Sequence, residues 1–227
     1  MNEAAPISAP ERLAALDIAS QLCSRLCHDL LSPVGALSNG LELLAEERDP
    51  EMRKRCFELL EQSARASADK LKFFRLAFGA AGGFGEAIPA TEPQALIAAL
   101  LGNGRIELGW NVAPESLPKP AVKVLLNFAQ IAVDALVRGG TLMVGAERRD
   151  GACEIVVRAS GPKVAFDETL GHALEGTLAA NELSSRTAAA HMIHLLAKDC
   201  GGALQYVLGA DALVLGAVLP EVEGLIG

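Results

Sequence analysis

The chain has 227 residues, 51% hydrophobic and 21% charged, which is material for one large domain or two small ones. Only 4% are aromatic and the formal net charge is −8. Those two values argue against a base-stacking platform, a phosphate-backbone groove or an anionic lipid surface, so no nucleic-acid or membrane partner is expected. The five cysteines have no regular spacing and suggest no disulfide framework. The first residues lack the basic region and apolar run of a signal peptide, and no run of about 20 residues is apolar enough to span a bilayer. A cytoplasmic protein is the expectation.

Leu22, Leu26, Leu30, Val34, Leu37, Leu41 and Leu44 recur in steps of three and four, one face of a long helix. Asp49-Pro50 interrupts it, because proline suits a helix start and not a helix interior. A second stripe follows at Met52, Cys56, Leu60, Ala64, Leu71, Phe74 and Phe78, and a glycine cluster over 79–85 closes it. The first third is therefore a hairpin of two long helices, the first about 55 Å long at 1.5 Å per residue. Two helices alone do not cover both stripes, and pairing with a second hairpin gives a four-helix bundle across a homodimer. The expected units are 1–80, a linker at 81–86, and 87–227.

Beyond residue 86 the pattern alternates. Residues 105–112 predict a strand, and Pro118-Lys119-Pro120 opens a helix running to about Arg138. Residues 141–147 and 153–159 predict a hairpin closed by Asp150-Gly151. A helix from about Arg186 to Asp199 ends at Gly201-Gly202, and 203–208 with 212–219 make a last hairpin. The class is α+β, helices layered on a mixed sheet.

At 100° per residue His28 points away from the leucine stripe, which predicts a histidine in solvent. Ser24 and Arg25 lie one turn before it, Leu31 and Ser32 one turn after, with Asp29 adjacent and Pro33 five residues on. A lone exposed histidine is usually just a surface residue. In this setting a neutral ring nitrogen is a competent nucleophile, a neighbouring carboxylate can hold the other nitrogen's proton, and Arg25 can offset a bound phosphoryl group. Pro33 removes one backbone hydrogen bond and predicts a local bend.

The run Arg25-Leu-Cys-His28-Asp29-Leu-Leu-Ser32-Pro33 resembles the H-box of dimeric histidine kinases. The second half resembles their Bergerat-type ATP-binding α/β sandwich: 124–132 resembles the N-box helix, 158–163 the Asp-x-Gly-x-Gly box, and 187–190 followed by Cys200-Gly201-Gly202 the region of the second glycine loop. In each the nucleotide-binding residue is replaced. Ile131 stands for the magnesium-holding asparagine, Ala159 for the adenine-reading aspartate, Lys163 for a glycine, and Thr187 and Ala189 for phosphate-facing glycines. A hydrogen bond to a charged group contributes about 1.5–3 kcal/mol, so the resemblance implies a sandwich without a nucleotide site and no stably bound cofactor.

An intact H-box joined to an emptied ATP domain resembles the ChpT-type histidine phosphotransferases of alphaproteobacteria, over nearly the whole chain. The resemblance implies a homodimer that receives a phosphoryl group on His28 from the receiver domain of a CckA-like hybrid kinase. It then passes the group to CtrA-like and CpdR-like response regulators. Asp29 is implied as the acid/base neighbour, Arg25, Ser32 and Ser24 as supporting contacts, and Mg2+ as the partner receiver's ion. The rival readings are an ATP-dependent histidine kinase and a scaffold that binds receivers with His28 incidental.

Other signals are weaker. Cys23 and Cys27-His28 have one residue too many for a haem-attachment motif. His191 and His194 share a helical face but lack further ligands at metal spacing. Asn127 is either a residual nucleotide contact or a buried polar group bonded within its helix.

Overall fold

The computed structural model describes residues 9–79, 87–102 and 104–221. The hairpin is α1 (Ala9–Glu46) and α2 (Pro50–Phe78), joined by three residues. Asp49 is the N-cap of α2, its Oδ1 accepting from the Met52 N–H at 2.9 Å, and Pro50 sits at the first helical position. Arg53 donates to the carbonyls of Leu44 and Glu47, closing the C-terminal end of α1. The helices pack along Leu22, Leu26, Leu30, Pro33, Leu37, Gly40 and Leu44 on one side and Cys56, Leu60, Ser63 and Ala66 on the other.

Part of the apolar surface of both helices is left uncovered by this single hairpin. Val34 and Leu41 on α1 and Phe57 and Leu71 on α2 are each half exposed or more. No helix among the described residues is long and apolar enough to cross a membrane.

The second unit is built on a five-stranded mixed sheet in the order β2-β4-β5-β7-β6, from β2 (Ile106–Val112), β4 (Gly140–Arg149), β5 (Ala152–Ser160), β6 (Ala203–Leu208) and β7 (Ala212–Pro220). Only the β2–β4 pair is parallel. Alternation places Leu142, Val144, Ile155, Val157, Leu213 and Leu215 on one fully buried face. That face packs on α4 (Lys119–Ala135), with α6 (Ala188–Asp199) against α4 alongside. The β4–β5 hairpin closes at Asp150 (φ 50°) and Gly151 (φ 75°), the left-handed pair that the Asp-Gly turn requires. Gly140 (φ 144°) enters β4 so near the Ser160 carbonyl that a Cβ would sit 2.1 Å from its oxygen.

The predicted strands and helices of this half are present, with α4 ending at Ala135, three residues short of Arg138. Two features were not expected. Two short strands, β1 (Ala87–Pro89) and β3 (Ser116–Pro118), pair antiparallel outside the main sheet. An eight-residue helix α5 (Glu168–Glu175) starts on Asp167, whose side chain accepts from Thr169 N. Helix α3 (Thr91–Leu101) packs between β2 and α4.

The end of the hairpin is embedded in this second unit. Phe73 and Ala77, 6% and 0% exposed, belong to the same apolar cluster as Leu125, Phe128 and Ala132 of α4. Removing a buried phenyl ring costs about 3–5 kcal/mol when the site cannot collapse. Phe73→Ala should therefore lower the free energy of urea unfolding by about 3 kcal/mol. A loss below about 1 kcal/mol would show that this ring does not anchor the hairpin.

Candidate functional site

His28 lies on the strip of α1 that neither α2 nor the apolar surface uses, and its side chain is 86% exposed. Its Nδ1 is 3.2 Å from Asp29 Oδ1. An ionised carboxylate only accepts, so Nδ1 carries the proton in this contact and Nε2 presents its lone pair to solvent. Asp29 is more covered, at 30% exposure, and its Oδ2 lies 3.8 Å from Arg25 Nε one turn earlier on the helix. Arg25 is the most buried of the three, at 17%.

Helix α1 runs through Pro33 without interruption. Proline has no N–H, so the carbonyl of Asp29, four residues earlier, loses its helical donor. Lys70 of α2 fills that vacancy, its Nζ donating to Asp29 O at 2.7 Å. At Pro33 α1 thus carries a specific cross-helix bond that places an ammonium one residue from His28.

His28 stands at the rim of a cleft of about 1120 Å³ between the hairpin and the second unit. Its walls include Arg25, Asp29, Lys70 and Phe74 from the hairpin, and Ile131 and Asp134 from α4. Arg25 reaches across the cleft, its Nη2 donating to Asp134 Oδ2 at 3.4 Å. Gln130 Nε2 donates to Asp134 Oδ1 at 2.9 Å. Ser24 and Ser32, the other sequence candidates, are exposed one turn either side of His28.

The positions that the kinase resemblance marks for nucleotide contact hold no polar constellation. Ile131 and Ala159 are apolar and buried, while Lys163 is exposed beyond the end of β5. Thr187 is buried and bonded locally: its Oγ1 donates to the Glu182 carbonyl at 2.9 Å and accepts from Ser184 N at 2.9 Å. These bonds tie together the turn that precedes α6. Asn127 donates to the Lys123 carbonyl one turn back at 2.8 Å, the intrahelical alternative of the two. His194 Nδ1 faces the Leu174 carbonyl at 2.9 Å, and the neighbouring His191 is half-buried, where burial and then His194 hold it below the ordinary histidine range.

Asp134 was missed from the sequence as a site residue. Lys70, with Lys72 and Arg75, reads from the sequence either as a basic helix end for docking a receiver or as a solvated, dipole-favoured one, although Pro33 announces an unpaired carbonyl on α1. Asp134 and Gln130, an i, i+4 polar pair near the C-terminal end of α4, were the available signal there.

Residues 90–212 match the family model described as histidine phosphotransferase C-terminal domain. The chain is 35% identical over 211 residues to the protein phosphotransferase ChpT of Brucella abortus (strain 2308), covering 93% of this chain and all of that one. A bacterial phosphotransferase structure solved at 1.7 Å superposes with a TM-score of 0.76 at 33% identity, over 93% of this chain and 98% of that one. With the family model across more than half its length and a full-length relative above 30% identity, this chain belongs to the ChpT-type histidine phosphotransferase family.

Proposed function

We propose that the chain performs its family's phosphoryl transfer on Nε2 of His28, taking the group from a receiver domain's aspartyl phosphate and delivering it to a second receiver. The observation that carries this reading is an exposed imidazole whose Nδ1 is held by Asp29, which leaves Nε2 free to attack. In the forward step the Nε2 lone pair forms a bond to phosphorus. The phosphorus–oxygen bond to the receiver breaks, and its electron pair returns to the aspartate carboxylate. The ring becomes cationic, and Asp29 stabilises that charge through the Nδ1 proton. Arg25 and Lys70 bring positive charge to the same end of the cleft. The magnesium ion of such a transfer belongs to the receiver's acidic pocket in this reading.

Kinase-receiver donors of the CckA type and regulator acceptors of the CtrA and CpdR types fit the family resemblance. The exposed residues Val34 and Leu41, seven apart on α1, and Phe57 and Leu71, fourteen apart on α2, support a homodimer. Heptad spacing of that kind is what a second hairpin covers in a four-helix bundle.

ATP is not a substrate in this proposal, because the sites that would hold its magnesium, adenine and phosphates carry Ile131, Ala159 and a locally bonded Thr187. Millimolar ATP with magnesium is expected to leave the melting temperature unchanged. A clear upward shift would return ATP-dependent autophosphorylation to first place.

The direct assay incubates the protein with a receiver labelled on its aspartate. Acid-labile, base-stable label is expected on the wild-type chain and absent from His28→Ala, whose circular dichroism and melting temperature should match wild type because the ring is exposed. Label retained by His28→Ala would overturn the assignment. Wild-type protein that binds the receiver but takes no label would make it a scaffold.

A further inference from the structure

His28, Asp29, Arg25 and Asp134 form one line of polar contacts, at 3.2, 3.8 and 3.4 Å in turn. The line begins on the hairpin and ends on α4 of the second unit, where Gln130 holds the outer oxygen of Asp134. Arg25 therefore lies between two carboxylates, one on its own helix and one across the cleft. Burial raises Asp134 above the usual carboxylate range, Arg25 and then Gln130 pull it the other way, and the Asp29 carboxylate adds a smaller upward push. The Asp134 side chain is still 58% exposed, so its pairing with Arg25 has the modest strength of a surface contact.

That division of Arg25 has a consequence for His28. Asp29 points one oxygen, Oδ1, at the imidazole and the other, Oδ2, at the guanidinium. A guanidinium with no other partner favours the two-pronged grip on a carboxylate, which would use both oxygens of Asp29. From these contacts we infer that Asp134 is a positioning residue for phosphotransfer: it draws Arg25 toward α4 and so keeps Asp29 Oδ1 on His28 Nδ1. The second unit, on this inference, contributes to the chemistry through one ion pair without touching the phosphoryl group. The inference rests on His28 being the acceptor.

Asp134→Asn keeps the size and one acceptor of the side chain and removes its charge. The maximum rate of transfer from a phosphorylated receiver should fall about three- to fivefold, the scale of a partly exposed ion pair, with the half-saturating receiver concentration unchanged. In an Arg25→Ala background the same change should have no further effect, because Asp134 acts through Arg25. Nitrogen-15 NMR of the His28 ring gives a readout that a purely structural role would not move. The population protonated at Nδ1 should drop in Asp134→Asn and stay at wild-type level in Asp134→Glu. An unchanged maximum rate and unchanged ring tautomer would overturn the inference while wild-type transfer to His28 stands. A raised half-saturation with an unchanged maximum would overturn it too, making Asp134 a receiver contact. Failure of the wild-type protein to take label at His28 would instead refute the acceptor assignment itself.

Discussion

Pro33 withholds a hydrogen that the Asp29 carbonyl needs, and Lys70 supplies it from the neighbouring helix at 2.7 Å. A buried or half-buried carbonyl without a donor is costly, so this bond fixes the register of α2 against α1 at the level of His28. The rest of the site follows from that register. Three residues further along α2, Phe73 turns into the core of the second unit, and Ala77 follows one turn later. The anchored hairpin end brings α4 to the cleft wall opposite Arg25, within reach of Asp134. Backbone accounting on α1 and apolar burial on α2 thus act together to set one geometry around one imidazole.

That imidazole stays accessible because α1 divides its circumference three ways. One sector, with Leu22, Leu26, Pro33 and Leu44, packs inside the hairpin. A second, with Val34 and Leu41, is apolar and uncovered by the single chain. The third carries Ser24, His28 and Ser32 and is polar. A nucleophile that must meet a second protein has to sit on the third sector, and its helix must be stiff enough there to hold Asp29 in line. There the hydrogen bond from Lys70 satisfies the Asp29 carbonyl that Pro33 leaves without a helical donor.

Much of this was legible from local pattern. The two stripes, the Asp49-Pro50 break, the exposed face of His28 and the Asp150-Gly151 turn each depend on residues close in sequence, and each is present. What pattern did not reveal depends on distant partners. Strands β1 and β3 are three residues each and exist by pairing Ala87–Pro89 with Ser116–Pro118. Helix α5 is too short for a periodic signal and announces itself only by its Asp167 cap. The bond between Arg25 and Asp134 joins residues 109 positions apart, so no local motif contains it. Lys70 sits 41 residues from Asp29, and its role is visible only once Pro33 is read as a missing donor rather than as a bend.

In the proposed transfer Asp29 holds Nδ1 of His28 and leaves Nε2 to take the phosphoryl group. Nitrogen-15 NMR of the phosphorylated protein, with the ring nitrogens of His28 assigned, is the decisive measurement. Phosphorus coupled to Nε2 and a proton retained on Nδ1 are expected. Phosphorus on Nδ1, or on any residue other than His28, would contradict that assignment.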